Sequence, residues 1–330
     1  MSGTAFTDNR PGFPDGLFRA LAQRAVWSQA ELAACLAIPE HEVMAGLDRL
    51  ESLGVALFRA EGQAGLREPI ELLDGARIKS ACAGSIDGID LHVLEQVDST
   101  SSWLEQKRRQ GVRPPLACVA EVQWAGRGRR GRQWLMPPGA GLALSVLWDI
   151  RHWPAPDPTI TLATGVVVLG VLESLGARGL SLKWPNDILV HGRKLGGILV
   201  EGYTHGGVGS GLILGLGLNL RLPKDLPIDQ PYGDLQDAGF DTTVSRNILV
   251  ARLLEALNHM LVTYPEPGFS SYHDHWQTHD ACAGRSVMVR GGRTLEGVGC
   301  GVDAGGRLQV LTAEGMELVE AGEVTLRVSP

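Results

Sequence analysis

Seven consecutive residues, Gly126-Arg127-Gly128-Arg129-Arg130-Gly131-Arg132, hold four guanidiniums and three glycines in a chain whose net charge is −7. Glycine permits left-handed backbone and close approach, so such a run can turn several backbone N–H groups onto one anion. Arginine adds permanently charged, two-pronged contacts to phosphate or carboxylate. A disordered, nucleic-acid-binding Arg/Gly tract would continue in low complexity. Here the run stops at Gln133 and Trp134, and an apolar strand follows from Gly141 to Trp148. The pattern predicts an anion-gripping loop between two strands.

Two further clusters could serve the same anion. Lys183-Trp184-Pro185-Asn186-Asp187 precedes Arg193-Lys194-Leu195-Gly196-Gly197, which runs on to Glu201. Lys194 enters an apolar strand beside two glycines, so its charge needs a compensating group. A ligand carboxylate or phosphate would supply one, lying against the glycine backbone. Asp98-Ser99-Thr100-Ser101 forms a natural N-cap between a strand and a helix, where hydroxyls and free N–H groups could hold a small polar ligand. Most such caps are structural, so this cluster is weak alone. No G-x-x-x-x-G-K-[ST] run occurs, so a nucleotide would depend on the Arg/Gly loop and not on a P-loop. His273, His275 and His279 do not share a helical face and predict a solvated helix end. Gly206-Gly207 with Gly209 precedes a strand and predicts a hairpin turn.

Three pieces would position these groups, and together they predict an α+β fold. Residues 1–77 read as a helix from Leu17, a second opened by a Ser28/Glu31 capping box, and a third from Pro39 to Leu53 stopped at Gly54. A hairpin of Val55 to Ala60 with Leu66 to Leu72, around Gly62 and Gly65, completes them. That order is a winged helix-turn-helix in outline, serving DNA or serving packing and dimerisation alone. Residues 78–280 alternate strands with helices, the latter over Ser99 to Arg109, Ile160 to Leu175 and Val244 to Val262, and predict a central mixed sheet. Residues 281–330 hold five short runs separated by glycine pairs, the pattern of a small SH3-like β-barrel.

The chain of 330 residues is 44% hydrophobic and 20% charged, an ordinary soluble composition. Its negative charge excludes general attraction to nucleic acid, so any such contact must come from a local patch. The five cysteines (Cys35, Cys82, Cys118, Cys282, Cys300) are odd in number and never spaced C-x-x-C. They argue against a disulfide framework or zinc cluster and predict a cytoplasmic protein. The uncharged stretch Thr159 to Leu172 is too short to cross a bilayer and predicts a buried helix, with no membrane partner.

In order along the chain stand D-S-T (Asp98 to Thr100), E-x-Q-x-A-G-R-G-R-R-G-R-x-W (Glu121 to Trp134), K-W-P-N-D (from Lys183), R-K-L-x-G-I-L-V-E (from Arg193) and G-x-G-x-N (ending at Asn219). With these motifs the chain resembles the biotin–protein ligases from about residue 20 to 328. With its N-terminal module it is similar to the bifunctional class, biotin ligase and biotin-operon repressor in one polypeptide. The resemblance implies a class II synthetase-like ligase fold that joins biotin to ATP as biotinyl-5′-AMP. The biotinyl group then passes to a lysine of the biotin carboxyl carrier protein of acetyl-CoA carboxylase.

By the same resemblance, Ser99, Thr100, Ser101 and Gln123 would hold the biotin rings, with Gly196 and Gly197 lining the slot. Gly126, Arg127, Gly128 and Arg129 would close over the valeryl chain. Lys194 and Arg129 would be the catalytic cations at the carboxylate and α-phosphate. Arg130, Gly131, Arg132 and Trp134 would order around ATP, Trp134 packing on the adenine. Lys183, Asn186 and Asp187 would meet phosphates or Mg²⁺, the metal through Asp187, and Asn219 the adenine side. A ligand-promoted homodimer is implied, and operator DNA would be met through Ser28, Glu40, His41 and Arg49. Lipoate–protein ligases are the nearest alternative, differing mainly in the substrate pocket.

The chain departs from that pattern where DNA would be touched. Residues 1–77 carry seven arginines, no lysine and eleven acids, a net charge of −4 (7 − 11). The first turn of the expected recognition helix offers Glu40 and Glu42, although phosphate contacts supply most DNA affinity. Arg49, Arg59 and Arg67 are the cations that could offset them. Two readings stand at this point: a ligase that also represses transcription, or a ligase whose winged helix is structural.

Overall fold

The computed structural model describes residues 12–82, 84–154, 157–205, 209–223, 226, 228, 230–241, 244–321 and 325–328. In the N-terminal module, α1 (Leu17–Gln23), α2 (Gln29–Leu36) and α3 (Glu40–Ser52) pack on a small sheet. That sheet comprises β1 (Trp27–Ser28), β2 (Leu57–Ala60) and β3 (Gln63–Leu66) in the order β1-β3-β2. The Ser28/Glu31 capping box forms, with Glu31 N donating to Ser28 Oγ at 3.2 Å and Ser28 N to Glu31 Oε2 at 2.8 Å. Val43, Leu47 and Leu50, at helical spacing, are fully buried, and Gly54 (φ 92°) ends the helix region. The hairpin is tighter than its sequence pattern. Glu61 and Gly62 are both left-handed and make a short turn, so the second strand is Gln63–Leu66 and not 66–72. Gly65 is a strand residue, and it must be glycine because the Ala25 carbonyl occupies the place of a Cβ.

The central sheet has seven strands in the order β4-β5-β6-β10-β9-β8-β7. They are β4 (Asp90–Val97), β5 (Leu116–Gln123), β6 (Gly141–Asp149), β7 (Leu180–Lys183), β8 (Asp187–Val190), β9 (Arg193–His205) and β10 (Gly209–Asn219). β4 and β5 run parallel and the other neighbours antiparallel, so the sheet is mixed. Residues 206–208, the centre of the expected glycine hairpin, lie outside the described residues, although β9 and β10 pair up to His205 and Gly209. Strand β8 was absent from the sequence reading. Its four residues are joined to β9 by left-handed His191 and Gly192, and this hairpin sets Asp187 near Lys194.

One sheet face is covered by α6 (Ile160–Ser174) and α7 (Arg246–Thr263), through Leu144, Val146, Leu214 and Leu216 among others. On the other face α5 (Thr100–Arg109) packs Leu104 on Leu116, Cys118, Leu147 and Ile213. Beyond the N-terminus of α5 that face is left to the candidate site. No helix among the described residues is long and apolar enough to cross a membrane.

The N-terminal module is fastened to the strands that carry the site. Glu95 on β4 accepts from the N–H groups of Gly16 (2.7 Å) and Arg19 (3.0 Å), capping α1 from outside. Gln96 donates to the Phe13 carbonyl at 2.7 Å, and Val122 on β5 is buried within the module's own core. The connecting segment is held equally firmly. Glu71 accepts from Ser245 Oγ (2.7 Å) and Arg246 N (2.8 Å), and buried Glu121 accepts from Leu73 N. The expected 77/78 division falls inside α4 (Gly75–Ala81), whose Ile78 belongs to the central core.

At the C-terminal end, β11 (Ser286–Arg290), β12 (Thr294–Val302), β13 (Leu308–Thr312), β14 (Gly315–Val319) and β15 (Thr325–Val328) form an antiparallel sheet, β14-β13-β12-β11-β15. Among the described residues β14 and β15 are its edges, where the sequence pattern suggested barrel closure. Val287, Val302, Leu308 and Val310 join the central core. Trp184 Nε1 donates to the Gly306 carbonyl at 3.0 Å, so the tryptophan of K-W-P-N-D fastens this sheet to β7. Within α8 (Ser270–Thr278) and just after it, His273 and His279 bond backbone carbonyls of Val302 and His275.

Asp280, at the exit of α8, accepts from Cys282 N at 2.8 Å, while its Oδ2 is buried without a partner among the described residues. Burial pushes its carboxyl up to about 6. A carboxyl raised by folding favours the protonated protein, so stability is lost as pH rises from about 4 to about 6. Asp280→Asn removes the charge and is expected to stabilise the fold by about 1–3 kcal/mol at pH 8, with the gain gone at pH 4. Denaturant titrations at both pH values read this directly. An equal effect at both would contradict it.

Candidate active site

A cavity of ≈ 1100 Å³ opens on the α5 face of the sheet, and its wall changes character along its length. One end is uncharged. Thr100 N and Thr100 Oγ1 both donate to Gln123 Oε1, at 2.8 and 3.1 Å. Ser145 Oγ lies 2.8 Å from Thr100 Oγ1 and 3.0 Å from Ser101 Oγ. Ser99, Thr100, Ser101, Gln123 and Ser145 are all buried. Such a cluster suits a neutral ring with its own donors and acceptors, since hydroxyls can orient either way and no charge must be desolvated. Ser99 is the N-cap residue of α5 but makes no side-chain cap bond, so the expected cap does not form there. Ser145 was not singled out from sequence; its one signal was a hydroxyl interrupting an apolar strand.

The middle of the cavity is floored by glycine. Gly197 and Gly217 are register partners on β9 and β10, and Gly215 stands beside Ser101. Gly196, expected in the slot, does not line it. Its missing Cβ would point to Leu218 and the Gly217 carbonyl, because alternation along the strand turns it to the other face. Gly126 and Gly131 also lie off the cavity wall. Gly126 is required by close approach, a Cβ there meeting the Trp134 carbonyl at 2.5 Å.

The far end is cationic. Lys194 Nζ pairs with Asp187 Oδ1 at 2.7 Å, both side chains largely buried. The charge that sequence reasoning left for a ligand to compensate is therefore already met across the β8–β9 hairpin. Arg129 donates to Asn186 Oδ1 (3.3 Å) and to the Ala321 carbonyl (2.9 Å). Burial, then repulsion from Arg130, lowers its pKa, the direction expected of a cation held ready for an anion. Arg130, Arg132, Lys183 and Asn186 line the same end, joined by Arg285, which the sequence reading did not select. Asn219 donates to the carbonyls of Lys194 (3.2 Å) and Gly233 (2.9 Å), bracing the 231–235 segment beside the cavity.

The Arg/Gly loop is a closed hairpin over this floor. Trp134 N donates to the Gly126 carbonyl at 2.8 Å and Gly128 N to the Arg132 carbonyl at 2.7 Å. Left-handed Arg130 and Gly131 make its tip, and Arg127 pairs with Glu201 on β9. The residues expected at DNA lie on the N-terminal module, away from this cavity: Ser28 caps α2, and Glu40 and His41 are exposed on α3. Arg49 donates to Ser52 Oγ at 3.2 Å. Of the offsetting cations, Arg59 is engaged by Asp48 and Glu51, and Arg67 Nε donates to the Leu57 carbonyl.

Comparison with known proteins agrees with this arrangement. The model of the Biotin/lipoate A/B protein ligase family matches residues 93–219, from the hydroxyl cluster through both strands of the glycine floor. The bifunctional ligase/repressor BirA of Salmonella typhimurium is 35% identical over 319 residues, covering 95% of this chain and 97% of that protein. The chain belongs to the biotin–protein ligase family. A match of that extent includes most of the N-terminal module. Biotin–[acetyl-CoA-carboxylase] ligase of Mycobacterium tuberculosis is 31% identical over 270 residues, 78% of this chain and 96% of the relative. A solved biotin protein ligase from Aquifex aeolicus, in complex with biotin and ATP, aligns with TM-score 0.63 and 29% identity over 73% of this chain and 99% of its own.

Proposed function

We propose that this protein joins biotin to AMP from ATP, releasing pyrophosphate, and passes the biotinyl group to a lysine of the biotin carboxyl carrier protein of acetyl-CoA carboxylase. The observation that carries this reading is one cavity running from a neutral hydroxyl–amide cluster, over a glycine floor, to half-buried Lys194 and Arg129. A ureido ring has donors and acceptors for Thr100, Ser101, Gln123 and Ser145. The dithiolane of lipoate has none, so those buried polar groups favour biotin.

In the first step a biotin carboxylate oxygen attacks the α-phosphorus and the bond to pyrophosphate breaks. Negative charge grows on the phosphoryl oxygens, where Lys194 and Arg129 are held by fixed partners and need little rearrangement. The remaining arginines of the loop, with Lys183 and Asn186, orient the nucleotide, and Trp134 offers a flat surface for the base. Magnesium would neutralise phosphate charge. Among the described residues that line the cavity Asp187 is the one carboxylate, and one carboxylate suits a metal carried in on the nucleotide better than a resident protein cage. In the second step the acceptor amine attacks the acyl carbon, AMP leaves, and a proton is lost from the new amide nitrogen. Incubation with biotin, MgATP and a carrier domain should yield biotinylated lysine, and without acceptor the protein should retain biotinyl-AMP. Carrier domain left unmodified would contradict the proposal.

We also propose that the N-terminal module binds operator DNA as a biotinyl-AMP-loaded dimer. Support comes from the Salmonella relative, named a ligase/repressor, whose match includes most of the module. With Arg59 and Arg67 engaged internally, each module would neutralise few phosphates and show a shallow salt slope. Footprinting upstream of the biotin-synthesis genes, with and without biotin and ATP, is expected to give protection only with both. No protection at low salt would leave the module a structural one.

A further inference from the structure

Trp134, at the base of the Arg/Gly hairpin, rests directly on the glycine floor. A Cβ built on Gly217 would lie 2.5 Å from the indole Cε2 and 2.8 Å from Nε1, and one built on Gly197 would lie 3.7 Å from Cζ3. The two glycines are partners across β9 and β10, so the ring covers the seam between the strands. Contact this close leaves no layer between indole and sheet, because another group would need about 3.5–4 Å on each side.

The covered seam is the middle of the route a ligand must follow. On one side Gly215, two residues along the same strand face, would bring a Cβ to 2.8 Å from Ser101 Oγ in the hydroxyl cluster. On the other, Lys194 Nζ lies 3.7 Å from the Cβ position of Gly197 and 5.7 Å from the centre of the Trp134 ring. An acid with its ring among the hydroxyls and its carboxylate at Lys194 therefore crosses the ground on which Trp134 stands. The indole also rests there at a cost. Its Nε1 is sealed from solvent and has no hydrogen-bond partner among the described residues. A buried donor without an acceptor is disfavoured, so this position holds the ring less firmly than its packing alone would.

Resting on the biotin-ligase reading above, we propose that Trp134 is an internal plug, occupying the glycine track until the chain of the incoming acid displaces it. Opening is then a condition of binding, and the apparent affinity for the acid is reduced by the fraction of molecules with the plug withdrawn. The loop that later covers the nucleotide would thus first report that the acid has arrived.

The test uses the full chain with biotin alone. In stopped-flow binding, Trp134→Ala is expected to associate with biotin about tenfold or more faster than wild type. In parallel, acrylamide quenching of the Trp134 signal, taken as the difference between wild type and Trp134→Phe, should show the ring becoming more accessible when biotin is added. Association that is not faster in Trp134→Ala, or a Trp134 signal that becomes more protected with biotin, would overturn the plug while leaving the ligase reading intact. Wild-type protein that binds no biotin would instead contradict the ligase reading, and the plug with it.

Discussion

Replacing Lys194 by alanine should slow adenylate formation by about 10²–10³-fold while changing biotin affinity far less, because its charge acts mainly where negative charge develops. The ammonium is prepared for that role. It lies largely buried beside the glycine floor and is oriented by Asp187 at 2.7 Å, which also makes it costly to remove. Alanine leaves the Asp187 carboxylate without its partner, so part of any loss could come from local disorder. The readouts therefore have to be separated: single-turnover release of pyrophosphate for chemistry, biotin binding for the pocket and thermal melting for the fold. A large fall in the first with small changes in the others assigns Lys194 to the transition state. Unchanged single-turnover adenylation would remove it from the mechanism.

Arg246→Ala should be among the most destabilising single changes in the chain, costing about 3–5 kcal/mol, the range for stranding one member of a buried ion pair. Arg246 donates to Glu121 Oε2 and to the carbonyls of Glu71 and Gly141, and the side chains of Arg246 and Glu121 are 12% and 3% exposed. Its loss leaves Glu121, among the described residues, with the Leu73 N–H alone. Because a domain's whole stability is about 5–15 kcal/mol, denaturant titration should register the change plainly. The same contacts argue against treating residues 78–330 as a free-standing catalytic core. Cutting there removes Glu71 and Leu73 and uncovers Val122, one residue before Gln123. A loss below about 1 kcal/mol for Arg246→Ala would mean that this junction is looser than its geometry.

Legibility in the sequence followed the range of the interaction. The helix over residues 40–52 was readable because Val43, Leu47 and Leu50 repeat at helical spacing, and the Ser28/Glu31 cap because both partners lie within one turn. The loop, the lysine and the hydroxyl cluster were readable as unusual chemistry, and the resemblance put them in order. Strand β8 was not, since four residues between turn formers carry too little periodicity. The Lys194–Asp187 pair depends on that missed hairpin, and so does the finding that the lysine already has a partner. Ser145 and the Glu121–Arg246 pair were out of reach for another reason. A single hydroxyl or carboxylate in a strand acquires meaning only from what the fold brings beside it, in the latter case 125 residues away.

Biotin and lipoate, compared as substrates of the same purified protein, decide which acid the cavity takes. With MgATP and no acceptor, a stoichiometric burst of pyrophosphate and a retained acyl-adenylate are expected with biotin, and little or none with lipoate. A burst with lipoate and none with biotin would contradict the assignment of the Thr100, Ser101, Gln123 and Ser145 cluster to a ureido ring.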